Sequence, residues 1–162
     1  MPHQHRLPTV RKPDEGLRVA SAGSVYRYLA IGDETNGQYA LFDNVLHPGD
    51  GAPLHAHSRE EEACYILEGE IVFYTQTQRI PASKGTFINM PTGVARGFRN
   101  ETEQDARMLI IESPAGLENM FLEDGETIAD SIDTASNLEQ IACPKIAAEY
   151  GIENLSQPLP DM

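Results

Sequence analysis

Between about residues 17 and 113, apolar and polar positions alternate in short runs divided by turn residues. "SVYRYLAI" (24–31) and "QYALFDNVLH" (38–47) flank "GDETNG", which carries turn chemistry at both ends. "ACYILEGEIVFYT" (63–75) is aromatic and β-branched, and Gly69 inside it marks a bulge, a bend or a turn between two strands. "RIPASKG" reads as a turn, "TFINM" (86–90) as a strand and "PTG" as a tight turn. "VARGFRN" (94–100) is another strand, "ETEQD" a turn, and "ARMLIIES" (106–113) the last strong strand. Short strands at nearly even spacing predict an all-β sandwich or barrel, because antiparallel strands on tight turns must fold over to bury one face.

The period changes after Ser113. "PAGLENMFLEDG" has Pro early, Gly late, and Leu117, Met120 and Phe121 at helical spacing. "SNLEQIA" opens with a capping box at Ser136 and Glu139. Pro144 breaks or restarts that helix, and Gly151 suits the position just past the end of "PKIAAEY". With no internal repeat and no convincing linker, residues 1–162 read as one domain: a β-barrel core over about 17–113 and a helical cover over about 114–154.

Charge narrows the partners. The net charge is −13, and residues 101–162 hold fourteen acids against only Arg107 and Lys145. An acidic chain without a basic stripe is a poor ligand for nucleic acid or an anionic membrane. No apolar run approaches the ~20 residues of a bilayer span. The basic start, "MPHQHRLPTVRKP", lacks the apolar stretch of a secretory signal. Cys64 and Cys143 lie far apart and read as free, buried thiols in a reducing, cytoplasmic setting.

The candidate chemistry lies in "LHAHSREEEACYILEGE" (54–70). Residues i and i+2 of a strand face one side, so His55 and His57 point into one cavity. His3 and His5 share the spacing but not the context. Two imidazoles and one carboxylate form a triad that suits Fe(II), and also Mn, Co, Ni or Zn. By parity Glu60 and Glu62 share a side and Glu61 faces away. Glu62 opens the apolar strand, where it is held rigidly, whereas Glu60 and Glu61 fall nearer a loop and are expected in water. A bulge would shift the parity and bring in Glu61 instead.

"GDGAPLHAHSREEEACYILEG" resembles the first motif of the cupin superfamily, with Gly49, His55, His57, Glu62 and Gly69 at the family's spacings. "GTFINMPTGVARGFRN" resembles the second, with Gly85, Pro91, Gly93 and Asn100 in place. The resemblance, over about residues 38–113, implies a double-stranded β-helix, a small jelly-roll barrel that is often a homodimer, and favours Glu62 as the acid. The segment after Ser113 is similar to that of small quercetinase-like cupins.

One position departs from the pattern. The second-motif histidine, normally the fourth metal ligand, is Arg96. A guanidinium has no free lone pair, so it cannot coordinate. At ~5 Å from a divalent ion, in an effective dielectric of about 20, it repels the ion by roughly 6–7 kcal/mol. Three arrangements follow. A metal stays on His55, His57 and Glu62 while Arg96 binds an anionic group of the substrate or pairs with a neighbouring acid. Alternatively the site is metal-free and Arg96 pairs with Glu62. In the third, His47 supplies a further ligand or contact. Phe98 shares the face of Arg96 and is expected to line the cavity, with Tyr28, Phe73 and Tyr74 as further candidates. The expected function is turnover of a small anionic or phenolic molecule by a metal-dependent, dioxygenase-like oxidoreductase using Glu62 and Arg96. Two alternatives are a non-oxidative cyclase, isomerase or lyase, and a non-catalytic small-ligand binder.

Overall fold

The computed structural model describes residues 6–128 and 142–155. Two antiparallel sheets face each other. One has seven strands: β1 (Arg18–Ser21), β2 (Ser24–Ala30), β3 (Ala40–Leu46), β5 (Glu61–Glu68), β8 (Phe87–Met90), β10 (Ala106–Ser113) and β11 (Glu126–Ile128). It runs in the order β11-β1-β2-β3-β10-β5-β8. The other has five, β4 (Gly51–His57), β6 (Glu70–Tyr74), β7 (Arg79–Ser83), β9 (Arg96–Arg99) and β12 (Ile152–Asn154), in the order β12-β4-β9-β6-β7. This is the jelly roll that the alternating pattern and the resemblance implied.

Alternation decides which side chains turn inward. On β5, Glu62, Cys64 and Ile66 are buried while Glu61 and Tyr65 are exposed. On β10, Ala106, Met108, Ile110 and Glu112 are buried. The core between the sheets is built from such residues, with Phe42, Phe73 and Phe98 at its centre. Gly69 is the corner at which the chain leaves the seven-stranded sheet for the five-stranded one. Its φ is 71°, and a side chain there would meet the Asp105 carbonyl at 2.9 Å.

Several local expectations change. "GDETNG" contains a single helical turn, α1 (Gly32–Thr35), and "RIPASKG" supplies β7, which pairs along its whole length with β6. The periodic Leu117, Met120 and Phe121 form the buried face of α2 (Leu117–Asp124). Phe121 stacks on Tyr26 at 4.0 Å between ring centroids and meets Phe42 edge-on at 5.5 Å, so α2 is docked by aromatic contacts. α3 (Pro144–Glu149) begins at Pro144, and Gly151 follows its cap with φ 77°. The cover is not purely helical: β11 pairs with β1, and β12 pairs with β4. The capping box at Ser136 and Glu139 lies outside the described residues. Cys64 is free and buried; Cys143 is free but exposed. No helix among the described residues is long and apolar enough to cross a membrane.

Candidate metal centre

The site grows from two strand pairings. In the β10–β5 register, Glu112 stands opposite Glu62. Directly opposed residues have Cβ atoms about 4.5–5.5 Å apart, so two carboxyl groups from distant sequence positions meet inside the barrel. In the β4–β9 register, His55 stands opposite Arg96. The "PTG" turn of the second motif is tied to the first by a 2.8 Å hydrogen bond from Gly93 N–H to the His57 carbonyl.

His57, Glu62 and Glu112 bring their ligand atoms within 4.8 Å of one another, and all three are buried. His57 Nε2 lies 3.9 Å from Glu62 Oε2, and its Nδ1 lies 3.7 Å from Glu112 Oε2. His55 stands beside them, its ring centroid 5.1 Å from that of His57. Its Nδ1 meets the Pro53 carbonyl at 2.8 Å. Donation there leaves Nε2 with the lone pair. Burial, helped by His57, pushes the His55 pKa down to about 4, so the ring is neutral at physiological pH.

The two carboxyls are driven apart. Burial, then the Glu62 charge, raises Glu112 well above the usual carboxylate range. For Glu62, burial acts upward but is outweighed by His57, by the hydrogen bond from Glu112, and by His55 and Arg96, so its pKa falls. Glu112 therefore holds a proton and donates it to an ionised Glu62.

Nine buried side-chain polar atoms lack a hydrogen-bond partner among the described residues, and six belong to this cluster: His57 Nδ1, both oxygens of Glu60, Glu62 Oε1, Glu112 Oε2 and one terminal nitrogen of Arg96. Buried polar groups are almost always paired. A concentration of unpaired acceptors around a histidine fits a cation, and one nitrogen with two carboxylates suits Mn, Fe or Zn.

Parity placed Glu62 inward and Glu61 outward, where Glu61 accepts a 2.7 Å hydrogen bond from Asn89. Glu60, expected in water, is instead fully buried. Glu60 lies in the turn just before β5, and its side chain is buried there. Arg96 is buried, but among the described residues it forms no ion pair within 4 Å of Glu62. Its Nε donates to the Val94 carbonyl at 3.1 Å and a terminal nitrogen to the Pro91 carbonyl at 2.5 Å. Two of its three nitrogens thus bond to its own turn, and its charge still lowers both carboxyls. His47 stands apart, half-exposed, with Nδ1 2.7 Å from Asp105 Oδ1. Tyr28 donates to the Glu118 carbonyl at 2.6 Å instead of facing the site.

A cavity of about 50 Å3 opens beside His55, His57, Glu62 and Glu112. Its walls are largely apolar and include Tyr26, Phe98, Ile110, Met120 and Phe121, with Asn154 of β12 at hand. Glu112, Glu60 and Asn154 were missed in the sequence reading. Glu112 had a signal, since it continues the inward series Met108, Ile110; Asn154 had none, because its place depends on β12 pairing with β4.

A jelly-roll barrel with a histidine–carboxylate cluster facing its cavity defines a small β-barrel protein with a candidate metal centre. A family model described as "Cupin domain" matches residues 44–112. The chain is 26% identical over 115 residues to quercetin 2,3-dioxygenase of Bacillus subtilis (strain 168), covering 71% of this chain and 34% of the relative. It is 27% identical over 70 residues to polyketide synthase CurC of Streptomyces cyaneus, covering 43% and 46%. The chain thus spans a third to a half of the lengths of these curated relatives. Among solved structures, a predicted oxalate decarboxylase from Thermotoga maritima superposes with TM-score 0.60 at 22% identity, covering 65% of this chain and 98% of that one. Residues 44–112 thus match a cupin domain, and the fold is that of the solved cupin-like barrel.

Proposed function

We propose that this cupin is a metal-dependent enzyme acting on a small organic molecule, and that its chemistry is dioxygenase-like. The observation that carries the reading is the convergence of His57, Glu62 and Glu112 with their unpartnered buried atoms. The 26% identity to quercetin 2,3-dioxygenase supports the reaction type and a phenolic substrate. His57, Glu62 and Glu112, the last after losing its proton, would hold the ion, with His55 Nε2 free to join them. A divalent ion there supplies Lewis-acid and electron-transfer chemistry. Tyr26, Phe98 and Phe121 form the apolar wall against which a planar substrate lies, and α2 and α3 exclude water. Arg96 acts through its charge: after His57, Glu112 and His55, it adds the smallest push toward an ionised Glu62. The same reading makes the protein a cytoplasmic homodimer. The test is metal analysis and oxygen uptake with quercetin as probe substrate. Bound metal, and oxygen consumption that matches product and disappears in His57→Ala, are expected. Protein that neither carries nor takes up Fe, Mn, Co, Ni or Zn sinks the reading.

A second reading rests on a separate observation. Glu62 and Glu112 are neighbouring carboxyls whose proton affinities are pushed in opposite directions, the arrangement of an acid and a base working together. Non-oxidative cyclisation or isomerisation would use Glu62 to take a proton and Glu112 to give one, and the similarity to polyketide synthase CurC supports it. It predicts turnover under strict anaerobiosis that Glu112→Gln abolishes; oxygen uptake equal to product would rule it out.

A further inference from the structure

His57, Glu62 and Glu112 have tasks in the proposed site, but Glu60 has none. It lies in the turn between β4 and β5, three residues after His57, and is 0% exposed. Neither carboxyl oxygen has a hydrogen-bond partner among the described residues. Leaving a buried polar group unpaired costs about 1–3 kcal/mol, and more for a charged one, so its retention needs a reason.

The nearest titratable neighbour supplies one. Glu60 Oε2 lies 3.5 Å from His57 Nδ1, which is itself buried without a partner. The opposite ring nitrogen, Nε2, faces Glu62 Oε2 at 3.9 Å. Glu112 Oε2 also approaches Nδ1, but from farther away, at 3.7 Å. From the solvent side, a terminal nitrogen of Arg59 lies 3.8 Å from Glu60 Oε1. Glu60 Oε2 and His57 Nδ1 face each other just outside hydrogen-bond geometry, and a small approach would satisfy both with the imidazole proton on Nδ1.

We infer that Glu60 is a positioning residue: it accepts the Nδ1 proton of His57, selects that tautomer and turns the Nε2 lone pair toward Glu62. What Nε2 then ligates rests on the metal reading above; the tautomer does not. A histidine ligand whose far nitrogen is held by a carboxylate keeps its orientation and gains basicity, and losing such a partner lowers metal affinity about 10–100-fold.

The test uses the full chain with labelled histidine, freed of metal, and reads the His57 tautomer by long-range proton–nitrogen correlation. The signals lost in His57→Asn are assigned to His57. The wild type should show the proton on Nδ1. Glu60→Leu should shift it toward Nε2, and Glu60→Gln, whose amide oxygen still accepts, should restore it. Titration with Zn2+ should then show affinity about 10–100-fold weaker in Glu60→Leu and largely recovered in Glu60→Gln. A wild-type proton on Nε2 overturns the inference without any variant. So does a tautomer unmoved in folded Glu60→Leu. Wild-type protein that shows the Nδ1 proton but binds no Zn2+ supports the positioning role and removes the metal reading alone.

Discussion

Two buried acid clusters in this barrel are solved in opposite ways. On the outer face of the seven-stranded sheet, Asp43 is buried between Arg27 and Arg107. Arg107 holds it with two hydrogen bonds of 2.7 and 2.5 Å, and Arg27 adds one of 2.8 Å. Arg27 stands directly opposite Asp43 on β2, and Arg107 stands diagonally on β10. Each Asp43 oxygen is used. Inside, Glu60, Glu62 and Glu112 surround one histidine, and four of their six oxygens have no partner among the described residues. The fully buried guanidinium nearby, that of Arg96, is turned to backbone carbonyls. An ion pair that serves the fold completes itself. A cluster whose acceptors lack partners among the described residues is where a bound cation would fit.

The sharpest way to break this contrast is to delete an inner group and look for a binding defect without a matching loss of fold. His57→Ala and Glu62→Ala should each weaken Zn2+ by about 100-fold or more, beyond the roughly 10–100-fold of an outer partner. Calorimetric titration measures this; unchanged affinity in both would remove the inner cluster from consideration as a metal centre. The converse deletion belongs to the outer cluster. Asp43→Ala should destabilise by about 1–3 kcal/mol in urea unfolding, discounted because the Arg107 side chain is 38% exposed and regains water. Zn2+ binding should not change.

Acid should separate the clusters more gently. Burial opposes ionisation of Asp43, but the hydrogen bonds and charges of Arg107 and Arg27 prevail, and its folded pKa is lowered. Its contribution is therefore present above the unfolded value of about 3.9 and is lost as pH falls below it toward the folded value. Asp43→Asn should flatten the unfolding curve in that window below about pH 4; an unaltered acid limb would show that Asp43 is not a major contributor there. The smallest effect is expected at Glu61, whose neighbours on either side face inward while it faces out. Glu61→Gln should change stability by no more than about 0.5 kcal/mol and leave Zn2+ affinity alone, and a larger loss would mean that parity misplaces the strand.

Much of this was legible because strand parity is local. The alternation in "EEACYILE" put Glu62 inside and Glu61 outside before any contact was known, and the spacing of Gly49, His55, His57, Glu62 and Gly69 pointed to the family. The same alternation applied to "ARMLIIES" would have turned Glu112 inward, but an acid at the end of a strand is ordinarily read as its solvated edge. Glu60 failed for the same reason: its composition suggested a solvated loop, while its side chain is buried in the turn just before β5.

By itself, then, the sequence determined a β-barrel of alternating strands, a two-histidine motif, an inward Glu62 and an arginine where the family has a histidine. Each of these depends on period or spacing along one strand. Only the tertiary structure decided that Glu112 meets Glu62, that Asn154 comes to stand opposite His55, and that Arg96 turns to the carbonyls of Pro91 and Val94. These follow from register between strands far apart in the chain, and from which acceptors a turn offers a buried guanidinium. No local pattern encodes either, because both are fixed by the free energy of pairing distant segments around one core.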